Sequence, residues 1–233
     1  MYTSRKLWIE SLENRALLAG NVAVSVNGDT LVIVGDNGGN GVSVEQLDNG
    51  KFFVSGYSLY GANTTINGQA NGQIFRGVRN IDVDLNRGWD AFVMSNSAFR
   101  RNEIAQGYSG GTAGPIQTSP EPANSNTVHP VTTRVAGDVT IRMDEGNDDV
   151  GMGARIGTRD SNGNIVDGIL QIFGGIGSDR VITDRSEAFD DILYDMGSGD
   201  DHVHADVTRV GDYLYASLGD GNDSFGCRYD RQL

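Results

Sequence analysis

The chain has 233 residues, 33 of them glycine but only 4 proline and one cysteine, and it carries a formal net charge of −13. That acidity argues against nucleic acid or an anionic membrane as partner. A single cysteine leaves no intrachain disulfide framework, and with no apolar run of about 18 or more residues nothing is read as a membrane-spanning helix.

The first segment, Met1–Gly20, opens with Arg5 and Lys6, but Glu10 and Glu13 interrupt it and the apolar run Ala16–Ala19 is too short for a secretory core. Leu7, Trp8, Leu12, Leu17 and Leu18 fall near helical spacing, as in a short amphipathic helix. Leu12-Glu-Asn-Arg-Ala-Leu-Leu-Ala19 resembles the LEPR-XLL segment at the start of many exported planctomycete proteins, with Asn14 where that family has proline. The resemblance implies export, to an extracellular or cell-surface location, with residues 1–20 as the export segment and β-helical, RTX-like repeats after it. It implies no chemistry.

From Asn21 short apolar alternations begin. Val22, Val24 and Val26 are followed by an Asn27-Gly-Asp turn, Leu31–Val34, the glycine-rich stretch Asp36–Gly41, and Val42–Glu45. Strands alternate faces with period two, so these read as half-buried strands joined by tight turns. Asn40 to Asp90 spans 50 residues, read as about two circuits with one irregular turn. Gly107–Pro130 holds all four prolines and several Gly, Ser and Asn residues, so a flexible loop over 106–133 is expected to interrupt a domain of residues 21–233. Thr158–Asn164 is a smaller insertion.

The clearest signal lies in Ile169–Leu233, where one unit recurs with its turn aspartates Asp179, Asp201 and Asp223 spaced 22 residues apart. With the turn aspartate as zero, inward side chains are predicted at nine, seven and five residues before it and two and four after. Ile192, Tyr194, Met196, Val203 and Ala205 occupy them around Asp201; Leu214, Ala216, Leu218, Phe225 and Cys227 around Asp223. The frame also fits Asp179, Asp148, Asp90 and Asn40. A fixed period of this length means stacked units. The expected fold is all-β: a right-handed parallel β-helix or β-roll-like solenoid with turns of roughly 22 residues and one long loop insertion.

The candidate site is the column of turns. Gly174-Gly-Ile-Gly-Ser-Asp179 resembles the GGxGxD loop of RTX calcium-binding repeats, and Gly197-Ser-Gly199-Asp-Asp201 and Gly219-Asp-Gly221-Asn-Asp223 resemble its last five positions. The resemblance implies Ca2+ held by Gly174, Gly175, Gly177, Asp179, Gly197, Gly199, Asp201, Gly219, Gly221 and Asp223, through carboxylate and carbonyl oxygens suited to a hard cation. RTX loops recur every nine residues, however, and aspartate in a glycine turn also serves simply as a backbone acceptor. Arg87, in the loop before Asp90, disfavours a cation there.

Three functional classes follow. The leading one is a non-catalytic structural or adhesive module, its partner an unknown cell-surface or matrix component. The second is a genuine RTX-like calcium-binding protein. The third is a polysaccharide-acting lyase or hydrolase, for which the outward column Asp149, Arg180, His202 and Ser224 is the only candidate machinery. His202 and His204 share an outward face but lack a third ligand at a recognisable spacing. Cys227 is predicted inward. Arg228, Asp230 and Arg231 are expected to blunt the last strand edge; end-to-end self-association or a longer array are the alternatives.

Overall fold

The computed structural model describes residues 20–47, 50–59, 62–94 and 133–229. The expected export segment, apart from Gly20, and nearly all of the expected loop lie outside them, although Thr133, placed in that loop, is already a buried strand residue. The described chain is all-β, without helix. No described helix is long and apolar enough to cross a membrane.

In chain order the strands are β1 (Asn21–Asn27), β2 (Thr30–Val34), β3 (Gly41–Leu47), β4 (Lys51–Gly56), β5 (Ser58–Leu59), β6 (Ala62–Asn63), β7 (Thr65–Ile66), β8 (Gln73–Phe75), β9 (Asn80–Asp84) and β10 (Ala91–Met94). There follow β11 (Thr133–Val135), β12 (Val139–Arg142), β13 (Asp149–Met152), β14 (Ala154–Ile156), β15 (Thr158–Arg159) and β16 (Ile165–Asp167). The last are β17 (Leu170–Ile176), β18 (Arg180–Ala188), β19 (Ile192–Ser198), β20 (His202–Val210), β21 (Leu214–Ser217) and β22 (Ser224–Tyr229).

Two large mixed sheets dominate. In the first, β2, β9, β12, β17, β19 and β21 run parallel in that spatial order. In the second, β3, β10, β13, β18, β20 and β22 do the same. Each strand of the first sheet leads through a corner into one of the second, and this pair is called a rung below. Leu31, Ile81, Val139, Leu170, Ile192 and Leu214 stand in register across the first sheet. Val42, Phe92, Val150, Val181, Val203 and Phe225 do so across the second. These are the predicted inward positions. Alternation forces the register, because a slip by one residue would turn every apolar side chain outward.

The two inner faces share one core, in which Ile33, Ile141, Met143, Ile172, Tyr194 and Met196 are fully buried. The Tyr194 hydroxyl lies 2.9 Å from Thr183 Oγ1, so the one large polar group in that column is satisfied inside the core.

Two expectations need correction. The 50-residue interval is a single rung, not two: β2 pairs directly with β9 and β3 with β10. The extra residues double back, with β1 antiparallel to β2, and β4 antiparallel to both β3 and β8. Hairpins fold locally through tight turns whereas parallel partners require a crossover, so short turns at Asn27-Gly28 and Gly50 produce antiparallel pairs. Cys227 is exposed, and Phe225 at its inward position is 40% exposed, because no described strand covers the outer edge of the last rung. The Thr158–Asn164 insertion is part of an antiparallel hairpin of β15 and β16, its turn tied by Asp160 Oδ1 accepting from the Asn162 and Asn164 amides.

Replacing a fully buried rung residue should cost the usual transfer and cavity terms. Ile141→Ala is expected to lower unfolding free energy by about 2–5 kcal/mol, and Phe225→Ala by clearly less than a buried Phe→Ala loss of about 3–5. Denaturant midpoints of the two variants test this; equal losses would contradict the assignment of Ile141 to the interior and Phe225 to the open edge.

Candidate functional site

At the corner between the two sheets, Asn40, Asp90, Asp148, Asp179 and Asp201 stack one per rung and are almost completely buried. Their main chains continue the parallel ladder: the Asp149, Arg180, His202 and Ser224 amides donate to the carbonyls of Asp90, Asp148, Asp179 and Asp201 at 2.8–2.9 Å. Their side chains add a second ladder. The Asn40 amide donates to Asp90 Oδ1 (2.6 Å), Asp90 to Asp148 (2.7 Å) and Asp148 to Asp179 (3.0 Å). Asp179 then donates to Asp201 (2.8 Å) and Asp201 to Asp223 (2.9 Å). Each turn carboxylate therefore satisfies the main-chain N–H of the preceding rung, a group that would otherwise be buried without a partner.

Glycine makes the close approach possible. Gly177 and Gly199 have φ of 141° and 135°, and a Cβ on either would collide with the carbonyl oxygen of Gly146 or Gly177 in the rung below. The same corner position in the last rung is Gly221. The glycines of the calcium reading are thus required by backbone geometry whether or not a cation binds.

The other carboxylate oxygens are the anomaly. Oδ2 of Asp90, Asp148, Asp179 and Asp201 is buried and has no hydrogen-bond partner. Asn40 shows what belongs at that position. Its Nδ2 donates to the Asp36 and Gly38 carbonyls at 3.1 and 2.6 Å. It sits against Gly35, five residues earlier, just as Asp179 Oδ2 sits against Gly174. A position that accommodates a donor in the first rung is occupied by bare oxygen in the others. Burial accordingly pushes these carboxyls up, Asp90 and Asp179 to about 7 and Asp148 to about 8, against the pull of the donated amides. Asp201 is raised for the same reason.

The structure brings Asp179, Asp201 and Asp223 into one column, as predicted, but strings them one per rung instead of gathering them. Among the described residues, the group of three acidic side chains whose ligand atoms all lie within 4.8 Å of one another is Asp190, Asp191 and Asp212. It lies where one rung closes onto the next, and Asp191 Oδ1 already accepts from the Tyr213 amide at 2.9 Å. Sequence reading passed over it, although Asp190 and Asp212 also stand 22 residues apart.

The outward column is assembled as expected: Asp149, Arg180, His202 and Ser224 are register neighbours. His202 Nδ1 lies 2.5 Å from Ser224 Oγ, and its Nε2 is buried without a partner. Burial, then Arg180 and His204, hold the imidazole below its ordinary value. Arg180 separates this pair from Asp149, and among the described residues no carboxylate is bonded to the imidazole. His204 takes the next outward position along β20. Comparison with family models, curated proteins and solved structures returned no match.

The raised carboxyl values carry a sign. Folded Asp90, Asp148 and Asp179 bind protons more tightly than an unfolded aspartate near 3.8. Their contribution is complete below that value and is lost as pH rises through about 7 to 8. In chelator, melting temperature should fall between pH 5 and pH 9, and Asp148→Asn should flatten the fall. A melting temperature rising over that interval would contradict the buried column.

Proposed function

We propose that the chain is a non-catalytic, right-handed parallel β-solenoid module, exported and structural or adhesive in role. The observation that carries this reading is the unbroken parallel register from Leu31 to Leu214 in one sheet and from Val42 to Phe225 in the other. Repetition of this kind makes stability a sum over rungs and their interfaces. The residues with the most demanding geometry, the corner aspartates and glycines, are spent on holding neighbouring rungs together. The outward column holds one carboxylate, Asp149, beside Arg180, His202 and Ser224, whereas glycoside hydrolysis uses a pair, which supports the non-catalytic reading over a glycan-hydrolysing one.

A calcium-stabilised form of the same module is favoured by the partnerless Oδ2 oxygens. A divalent cation beside them would give these oxygens an electrostatic partner, with loop carbonyls like those that accept from Asn40 Nδ2 in the first rung among its ligands. The residues concerned are those around Asp179 and Asp201, where the Gly-x-Asp turns are most regular.

Excising residues 192–213, one complete unit, should leave a folded β protein that melts cooperatively at a lower temperature. Loss of the β circular-dichroism signal would contradict the modular reading. For the cation, melts at pH 8 with calcium or chelator decide. Saturating calcium at about 100 times its dissociation constant should add about 2.7 kcal/mol, and the Asp179→Asn/Asp201→Asn double variant should lose most of that gain; superimposable wild-type melts would remove calcium from the account.

A further inference from the structure

Beyond the corner column, the second sheet carries a line of side chains outside the two-strand frame. β18 and β20 pair with register shifts between Asp184 and Glu187, and past them Ser186 and Ala188 face inward. β14 pairs with this distal part of β18, and β11 pairs with β14, all in parallel. Val135, Ile156, Ala188 and Val210 form the inner line. Pleating obliges the residue before each to face outward, which sets Arg134, Arg155, Glu187 and Arg209 side by side at about 4.8 Å per strand.

Arg159, from the β15–β16 hairpin, joins them. The guanidinium carbons of Arg155, Arg159 and Arg209 lie 4.7, 5.4 and 5.4 Å from the centroid of one ring, Phe189. Arg155 Nε pairs with Glu187 Oε2 at 3.2 Å. Arg134, Arg159 and Arg209 make no ion pair among the described residues, and all three are exposed. A chain of net charge −13 therefore sets four guanidiniums on one narrow strip, one of them paired with Glu187.

We propose that this strip binds an acidic polysaccharide, an extended sugar chain bearing carboxylate or sulfate groups. Guanidinium forks match both anions bidentately. Stacking on Phe189 fixes three of them in advance, so little side-chain freedom remains to be lost on binding. Crowded like charges are relieved by an anion laid across them. A straight line of sites repeating at the strand spacing suits a linear polymer better than a compact anion. Nucleic acid fits less well: Phe189 is only 7% exposed, its ring covered by guanidiniums, and offers no face for base stacking. A duplex of high charge density would also meet the acidic remainder of the molecule.

The proposal supplies a ligand class for the adhesive module and does not depend on the corner carboxylates. Titration calorimetry of the full chain at low salt would use heparin as the sulfated polymer, polygalacturonate as the carboxylated one, dextran as the neutral control and duplex DNA. The expected result is binding to one or both acidic glycans, weakening as salt rises, and at least tenfold weaker in Arg134→Gln/Arg209→Gln at unchanged melting temperature. Binding to one glycan alone identifies the anion. The proposal is overturned if neither acidic glycan binds, if dextran binds as well, if the double variant binds equally, or if DNA binds more tightly. Polymer length after incubation, read by size exclusion, separates the two readings: shortening would contradict the non-catalytic module while leaving the binding face intact.

Discussion

The structure depends on the hydrogen bond from one turn aspartate's amide to the next turn aspartate's carboxylate. Parallel strands have no hairpin to set their pairing, and loop closure over 22 to 58 residues leaves sliding open unless something fixes the register. The Asp90, Asp148, Asp179, Asp201 and Asp223 carboxylates fix it at the corner, where each reaches one specific amide. Apolar alternation then chooses which face turns inward. The two devices are complementary, since alternation tolerates a slip of two residues and the carboxylate does not.

The same bond creates the central tension of the molecule. A carboxylate buried to receive one N–H takes its second oxygen with it, and Asp90, Asp148, Asp179 and Asp201 bury that oxygen without a donor. Asn40 replaces that second oxygen with an amide nitrogen, which donates to its own loop. As the first of the column among the described residues it has no earlier turn amide to accept from, and its Oδ1 is buried without a partner there. Protonation, or the cation proposed above, would resolve the conflict elsewhere, and the two make opposite demands on pH: protonation favours acid, cation binding favours the ionised form.

The strands and core from Leu31 to Phe225 were legible because one 22-residue unit, written cleanly near the C-terminus, could be projected backwards onto turns as distant as Asn40. Inward positions at Ile81, Met143 and Ile172 followed from that frame alone. The antiparallel returns of β1 and β4 were not legible, since their short alternations look the same whether the next partner is local or one rung away. The Arg134–Arg209 line was hidden for another reason. Register shifts beyond Asp184 displace it from the period-two frame, and its members Arg134, Arg155, Glu187 and Arg209 stand 21, 32 and 22 residues apart, because the β15–β16 hairpin lies between Arg155 and Glu187. The turn aspartates were recognised as a column, but their burial was not, because exposure depends on how closely glycines such as Gly177 allow the rungs to approach.

The most direct test of this account is a through-hydrogen-bond NMR coupling experiment on uniformly labelled protein, correlating backbone amide nitrogens with side-chain carboxyl carbons. The account predicts connectivities from Asp148 to Asp179, from Asp179 to Asp201 and from Asp201 to Asp223, each joining residues one rung apart. Couplings confined to carboxyls within the same turn, or joining these amides to other rungs, would contradict it.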